Sequence, residues 1–82
     1  MSPIMSSLKQ EMTCLIFRTD LQDRTAVAQV AVALENIPGL KDWSVDLGNW
    51  EKVLRVEGID LQPRQIIRLL RRLDVKIQEM PI

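Results

Sequence analysis

The stretch Phe17-Arg18-Thr19-Asp20-Leu21-Gln22-Asp23-Arg24-Thr25-Ala26 decides the fold. An apolar run ends inside it and an amphipathic helix begins. Upstream, residues 8–19 contain Met12-Thr13-Cys14-Leu15-Ile16-Phe17, a short, β-prone and nearly unbroken apolar run. Such a run fits a strand buried on both faces better than a helix. It leaves open whether Cys14 and Ile16 or Leu15 and Phe17 face the helices. Downstream the period changes. Val27, Val30, Ala31, Leu34 and Ile37 fall at i, i+3, i+4, i+7 and i+10, one helical stripe. Either Asp20 or Asp23 supplies a cap for the first amides. Asn36-Ile37-Pro38-Gly39 ends the helix, because proline cannot continue it and glycine suits the left-handed cap. The predicted helix covers residues 22–37.

Further on, Trp43, Val45 and Leu47 alternate with Ser44 and Asp46, the pattern of a half-buried strand. Gly48-Asn49 is a turn signal. Residues 52–57 carry β-prone Val53, Leu54 and Val56, so the two segments make a hairpin, which Gly58-Ile59-Asp60 leaves. Pro63 suits the first turn of a second helix with Ile66, Leu69, Leu70 and Leu73 as its stripe. Residues 74–80 read as a last strand, with Val75, Ile77 and Glu79 pointing one way and Lys76 and Gln78 the other; Pro81 stops it. The order is β-α-β-β-α-β. Right-handed crossovers then place both helices on one face of a four-stranded antiparallel sheet, an α+β ferredoxin-like sandwich. Residues 1–7 read as a flexible lead-in and residues 8–82 as one domain.

Bulk composition excludes several function classes. Eleven basic and eleven acidic residues cancel, so no global field draws in nucleic acid or an anionic membrane. The single cysteine makes no internal disulfide, and a small secreted domain would usually need staples, so a cytoplasmic location is expected. No signal-peptide pattern opens the chain, and no apolar run approaches the ~18 residues of a membrane span. Histidine is absent, as are a glycine-rich phosphate loop and a nucleophile motif, so no enzyme and no cofactor is expected.

The chain resembles the heavy-metal-associated (HMA) domain family of copper chaperones and metal-transporting ATPase tails. The resemblance runs from about Cys14 to Met80. It rests on Phe17-Arg18-Thr19-Asp20, on the helix around Val27 to Leu34, and on Ile37-Pro38-Gly39-Leu40. Trp43-Ser44-Val45-Asp46-Leu47 and Lys52-Val53-Leu54-Arg55-Val56-Glu57 extend it. The family motif Met-x-Cys-x-x-Cys, laid on the Val30 and Gly39 anchors, puts its Met at Leu21 and its cysteines at Asp23 and Ala26. Leu73-Asp74-Val75 stands where the family has a Gly-aromatic pair. The resemblance thus implies the family's fold with both thiolate positions altered, and no metal ligand is assigned.

Copper(I) and zinc sites of this kind need soft thiolates. An alternative is a copper- or zinc-binding protein with non-standard ligands from Cys14, the methionines (Met5, Met12, Met80) or Asp23; Asp20 and Asp23 together would suit a hard divalent cation. Each faces a simpler reading: a buried hydrophobic cysteine, core-filling methionines and helix caps. A third reading is a small-molecule sensor built as a ferredoxin-like dimer. The interaction candidates are Arg64, Arg68, Arg71 and Arg72 along the second helix, followed by Lys76, and Trp50 beside the hairpin turn. The arginines read either as a solvated face near a helix C-terminus or as a docking face for an acidic protein surface. Acidic residues around Asp42, Asp46, Glu51, Glu57 and Asp60 offer the complement for self-association. Trp43 is expected to pack at the sheet edge and Trp50 to be exposed. The leading expectation is a small interaction or accessory module.

Overall fold

The computed structural model describes residues 12–80. The lead-in, Met5, the start of the first predicted strand and Pro81 lie outside the described residues. The order is β1 (Met12–Thr19), α1 (Arg24–Leu34), β2 (Leu40–Asp46), β3 (Val53–Ile59), α2 (Pro63–Arg72) and β4 (Ile77–Met80). The strands form one antiparallel sheet in the order β2-β3-β1-β4. This is the expected ferredoxin-like sandwich.

β1 answers the question its sequence left open. Leu15 and Phe17 are buried, while Cys14 and Ile16 are only half-buried on the open face. The core joins them to Val30 and Leu34 of α1, Leu54 and Val56 of β3, Ile66 and Leu70 of α2, and Ile77 of β4. Leu21 and Leu61, just outside the elements, complete it. Phe17 is fully buried at the centre.

Several boundaries differ from expectation, each for a local reason. α1 begins at Arg24 rather than residue 22, because Asp23 is its N-cap: Oδ1 accepts from the Ala26 amide at 2.9 Å. It ends at Leu34, and Ile37 reaches the core from the following turn. β2 starts earlier than predicted, at Leu40, with an irregularity between Leu40 and Asp42. β3 does not end at Glu57. Gly58 stays in the ladder opposite Thr13 and Leu40, because the α1–β2 connection crosses directly over it. A methyl group on Gly58 would come within 2.3 Å of the Gly39 carbonyl oxygen. Gly39 itself has φ +83°.

β4 is shorter than expected because residues 73–75 are spent on ending α2. The Val75 amide bonds the Leu70 carbonyl and the Asp74 amide bonds that of Arg71, both at 3.0 Å. That is a Schellman cap, with Asp74 at φ 62° in the left-handed position. Leu73, predicted in the apolar stripe, is the C-cap and is exposed, and Glu79 is exposed as well. At the other end of α2, Pro63 stands at the first position and the Gln65 side chain accepts from the Gln62 amide at 3.1 Å.

Candidate functional site

The turn between β1 and α1, on which the resemblance lays the family motif, is held by two neighbouring loops. Thr19 donates its hydroxyl to the Lys52 carbonyl at 2.6 Å, and the same oxygen accepts from the Leu21 amide at 3.3 Å. The Thr19 amide bonds the Glu51 carbonyl at 3.1 Å. These contacts fasten the turn to the β2–β3 hairpin. Asp20 fastens it to the loop before β4. Its Oδ1 accepts from the Lys76 amide at 2.9 Å and its own amide bonds the Lys76 carbonyl at 3.2 Å. Sequence reasoning offers Asp20 as a helix cap or a cation ligand; a bond across 56 positions leaves no local signal.

Inside the turn each position has structural work. Leu21 is buried in the core. Asp23 uses a carboxylate oxygen on the helix amide. Ala26 is half-buried against the core with a methyl group only. Asp23 and Ala26 thus offer a carboxylate already bonded to an amide and a methyl group, not the soft thiolates that copper(I) selects. Among the described residues, no three Cys, Asp or Glu side chains converge as a metal cluster.

The alternative ligands on β1 and β4 lie away from this turn. Cys14 lies five residues along β1 from Thr19, about 16 Å at strand rise, so it cannot serve the turn. Met12, Cys14 and Met80 do share the open face of the sheet. Met80 stands opposite Ile16, so its backbone lies about 13 Å along the strand direction from that of Met12, with Cys14 at the position midway. Cys14 lies opposite Glu57, and the neighbouring Arg55 is held above its ordinary value by the Cys14 thiol and by Glu57. Arg55 and Glu57 pair at 3.1 Å.

At the same end of the sheet as the turn, Arg18 pairs with Glu51, Nε donating to Oε2 at 2.9 Å. Its partner is therefore the hairpin, not the aspartates of its own turn. The guanidinium also lies over the Trp50 ring, 5.6 Å from the centroid. Trp50 is 80% exposed. Trp43 instead sits half-buried on the helix side of β2, in a groove of ≈ 550 Å³ also lined by Arg24, Val27, Ala28, Ala31, Val45 and Leu47.

The arginine face is present as a stripe. Arg64, Arg68 and Arg72 follow at i+4 steps with Arg71 beside them, all exposed and opposite buried Ile66 and Leu70. None of the four forms an ion pair among the described residues. Arg71 and Lys76 flank a shallow hollow of ≈ 350 Å³ beside Asp74. Trp50 belongs to the Arg18 cluster rather than to this stripe.

No protein-family model matches the sequence. The search of curated proteins gives no match. Solved structures do match. The copper(I)-loaded first domain of the human copper chaperone for SOD1, CCS, superposes with a TM-score of 0.69 at 19% identity, covering 84% of this chain and 93% of that one. The apo HMA domain of a copper chaperone for superoxide dismutase gives 0.72 at 18% identity, over 88% of this chain and 70% of that one. The apo N-terminal domain of ZntA gives 0.70 at 19% identity, over 87% and 96%. This chain therefore has the HMA-domain form of the ferredoxin-like fold.

Proposed function

We propose that this chain is a protein-docking module on an HMA frame whose thiolate metal site has been lost. The observation that carries the reading is the occupancy of the turn. Asp23 is committed to capping α1, Ala26 to packing, and Asp20 to Lys76. A frame kept in this form while its ligand positions do structural work retains its surface as the functional asset. The surface best suited to binding is the α2 stripe of Arg64, Arg68, Arg71 and Arg72, whose partner would be an acidic protein surface. Four exposed guanidiniums without ion-pair partners among the described residues are available for bidentate pairing with carboxylates. Trp50, with Arg18 over its ring, is a second anchor of the type common at binding hot spots.

Titration of the reduced protein with Cu(I) and with Zn(II) tests the loss of the site. No stoichiometric binding at submicromolar affinity is expected; tight binding would overturn the reading. Affinity capture from the native cytosol tests the surface, with Arg68→Glu/Arg72→Glu as the control expected to lose the partner.

A second reading is supported by the neighbours themselves, one of which is a copper(I)-loaded chaperone domain. It makes this chain a copper- or zinc-handling protein using Cys14 with Met80 or Met12 on the open face. Its test is direct: Cys14→Ser must abolish whatever metal the protein binds.

A further inference from the structure

α1 is unusual for a surface helix. From Thr25 to Leu34 it carries no charge, and Gln29 is its only amide side chain. A helix apolar on nearly every side is normally covered. Here Val30 and Leu34 enter the core, but Ala28 is exposed and Val32 is 66% exposed. The charges stand at the ends, and each stands at the wrong end for the helix dipole. Arg24 is at the positive N-terminus and Glu35 caps the negative C-terminus, with no acid in the first turn and no base in the last. Neither forms an ion pair among the described residues, although Lys41 lines the same hollow as Glu35. Arg24, Ala28, Ala31 and Glu35 follow at i, i+4, i+7 and i+11, so they form one stripe along the helix. Arg24, Ala28 and Ala31 also border the apolar groove floored by Trp43, Val45 and Leu47.

That stripe is complementary to itself. We propose that two copies of this chain associate through α1, antiparallel and about a two-fold axis. Ala28 and Ala31 let the helix backbones approach closely, and Arg24 of each copy meets Glu35 of the other. In that arrangement both misplaced charges find an opposite charge and the favourable end of a neighbouring helix dipole. The two-fold makes each contact twice, and the covering helix shields the groove walls from water. A partner helix of this length makes a small interface, so the dimer is in equilibrium with monomer. The inference rests on α1 and is independent of the reading of the α2 stripe.

Sedimentation equilibrium on the full chain tests it. The expected result is a dimer whose dissociation constant rises at least about tenfold in Arg24→Glu and in Glu35→Arg, as two attractive contacts become repulsive. An equimolar mixture of those two variants is expected to form a heterodimer. In it the exchanged charge of one copy faces the exchanged charge of the other, opposite in sign, and the remaining native Arg24 still meets the remaining native Glu35. Both variants improve the helix-dipole match within α1, so loss of the dimer with an unchanged or raised melting temperature separates dissociation from unfolding. Ala28→Arg, at an exposed position, should also give monomer. Arg68→Glu/Arg72→Glu should leave the dimer intact, which separates failure here from failure of the α2 reading. A wild-type chain that is monomeric at all concentrations overturns the proposal. So does a dimer indifferent to the charge exchanges, or a variant mixture that fails to pair.

Discussion

At the scale of single residues, the backbone carries the firmest expectations. Asp74 holds a left-handed conformation that costs a non-glycine residue about 1 kcal/mol. Its amide caps α2 whatever its side chain is, so Asp74→Gly should raise stability by roughly 0.5–1 kcal/mol, read as a shift in the urea midpoint at constant slope. Gly58→Ala should act in the opposite direction. Its added methyl meets backbone on the α1–β2 connection, which cannot rotate away as a side chain would. A loss of about 2 kcal/mol or more in the same denaturation experiment is expected. Thr19 is a third case. Its buried hydroxyl joins the turn to the hairpin, so Thr19→Val leaves the Lys52 carbonyl without its partner. The expected cost is about 1–2 kcal/mol.

At the scale of elements, the two helices divide the labour. α2 is strongly amphipathic, with arginines outside and Ile66 and Leu70 inside. Its periodicity and Pro63 make it legible in the sequence, and only its end differs from expectation. The Schellman cap at residues 73–75 has no glycine, so the usual signal for that turn is missing. α1 is held at its start by Asp23. Asp23→Ala should cost about 1 kcal/mol and increase hydrogen exchange in the first turn of α1, with little change at α2. The hairpin is legible from alternation and Gly48-Asn49. The continuation of β3 through Gly58 is not, because a glycine in a strand reads locally as an exit. It is a crossing point only when the partner backbone is known.

At the scale of the whole molecule, the question is whether the frame has the geometry of the copper(I)-loaded domain on which it superposes. Asp23→Cys with Ala26→Cys places two thiols at the start of α1, one at the cap and one in the first turn. If the frame is intact, the double variant should bind one equivalent of Cu(I) where the parent is expected to bind none, at a stability cost of about 1 kcal/mol for the lost cap. A bathocuproine competition assay reads the affinity. Charge is also arranged on this scale. The acids Asp42 and Asp46 lie on the β2 edge, while the arginine stripe lies on α2 in the helix layer. Docking through that stripe should weaken steeply between low and physiological salt, since exposed charges are screened beyond about 8–10 Å.

The fold is written in local periodicity. An apolar run of strand length, a 3.6-residue stripe, an alternating hairpin and a second stripe after Pro63 each restrict the backbone by themselves, and right-handed crossovers leave few ways to join them. That the turn carries Asp23 and Ala26 is equally readable, because residue identity is given by the sequence. Tertiary structure alone decided which face of β1 enters the core, that Asp20 binds Lys76 rather than its own helix, and that Arg18 joins Glu51 and Trp50. It also decided that Cys14, Met12 and Met80 share one face of the sheet. Alternation along a strand is the same read from either side, and bonds between residues 33 or 56 positions apart leave no trace in local pattern. Only the packed chain brings them together.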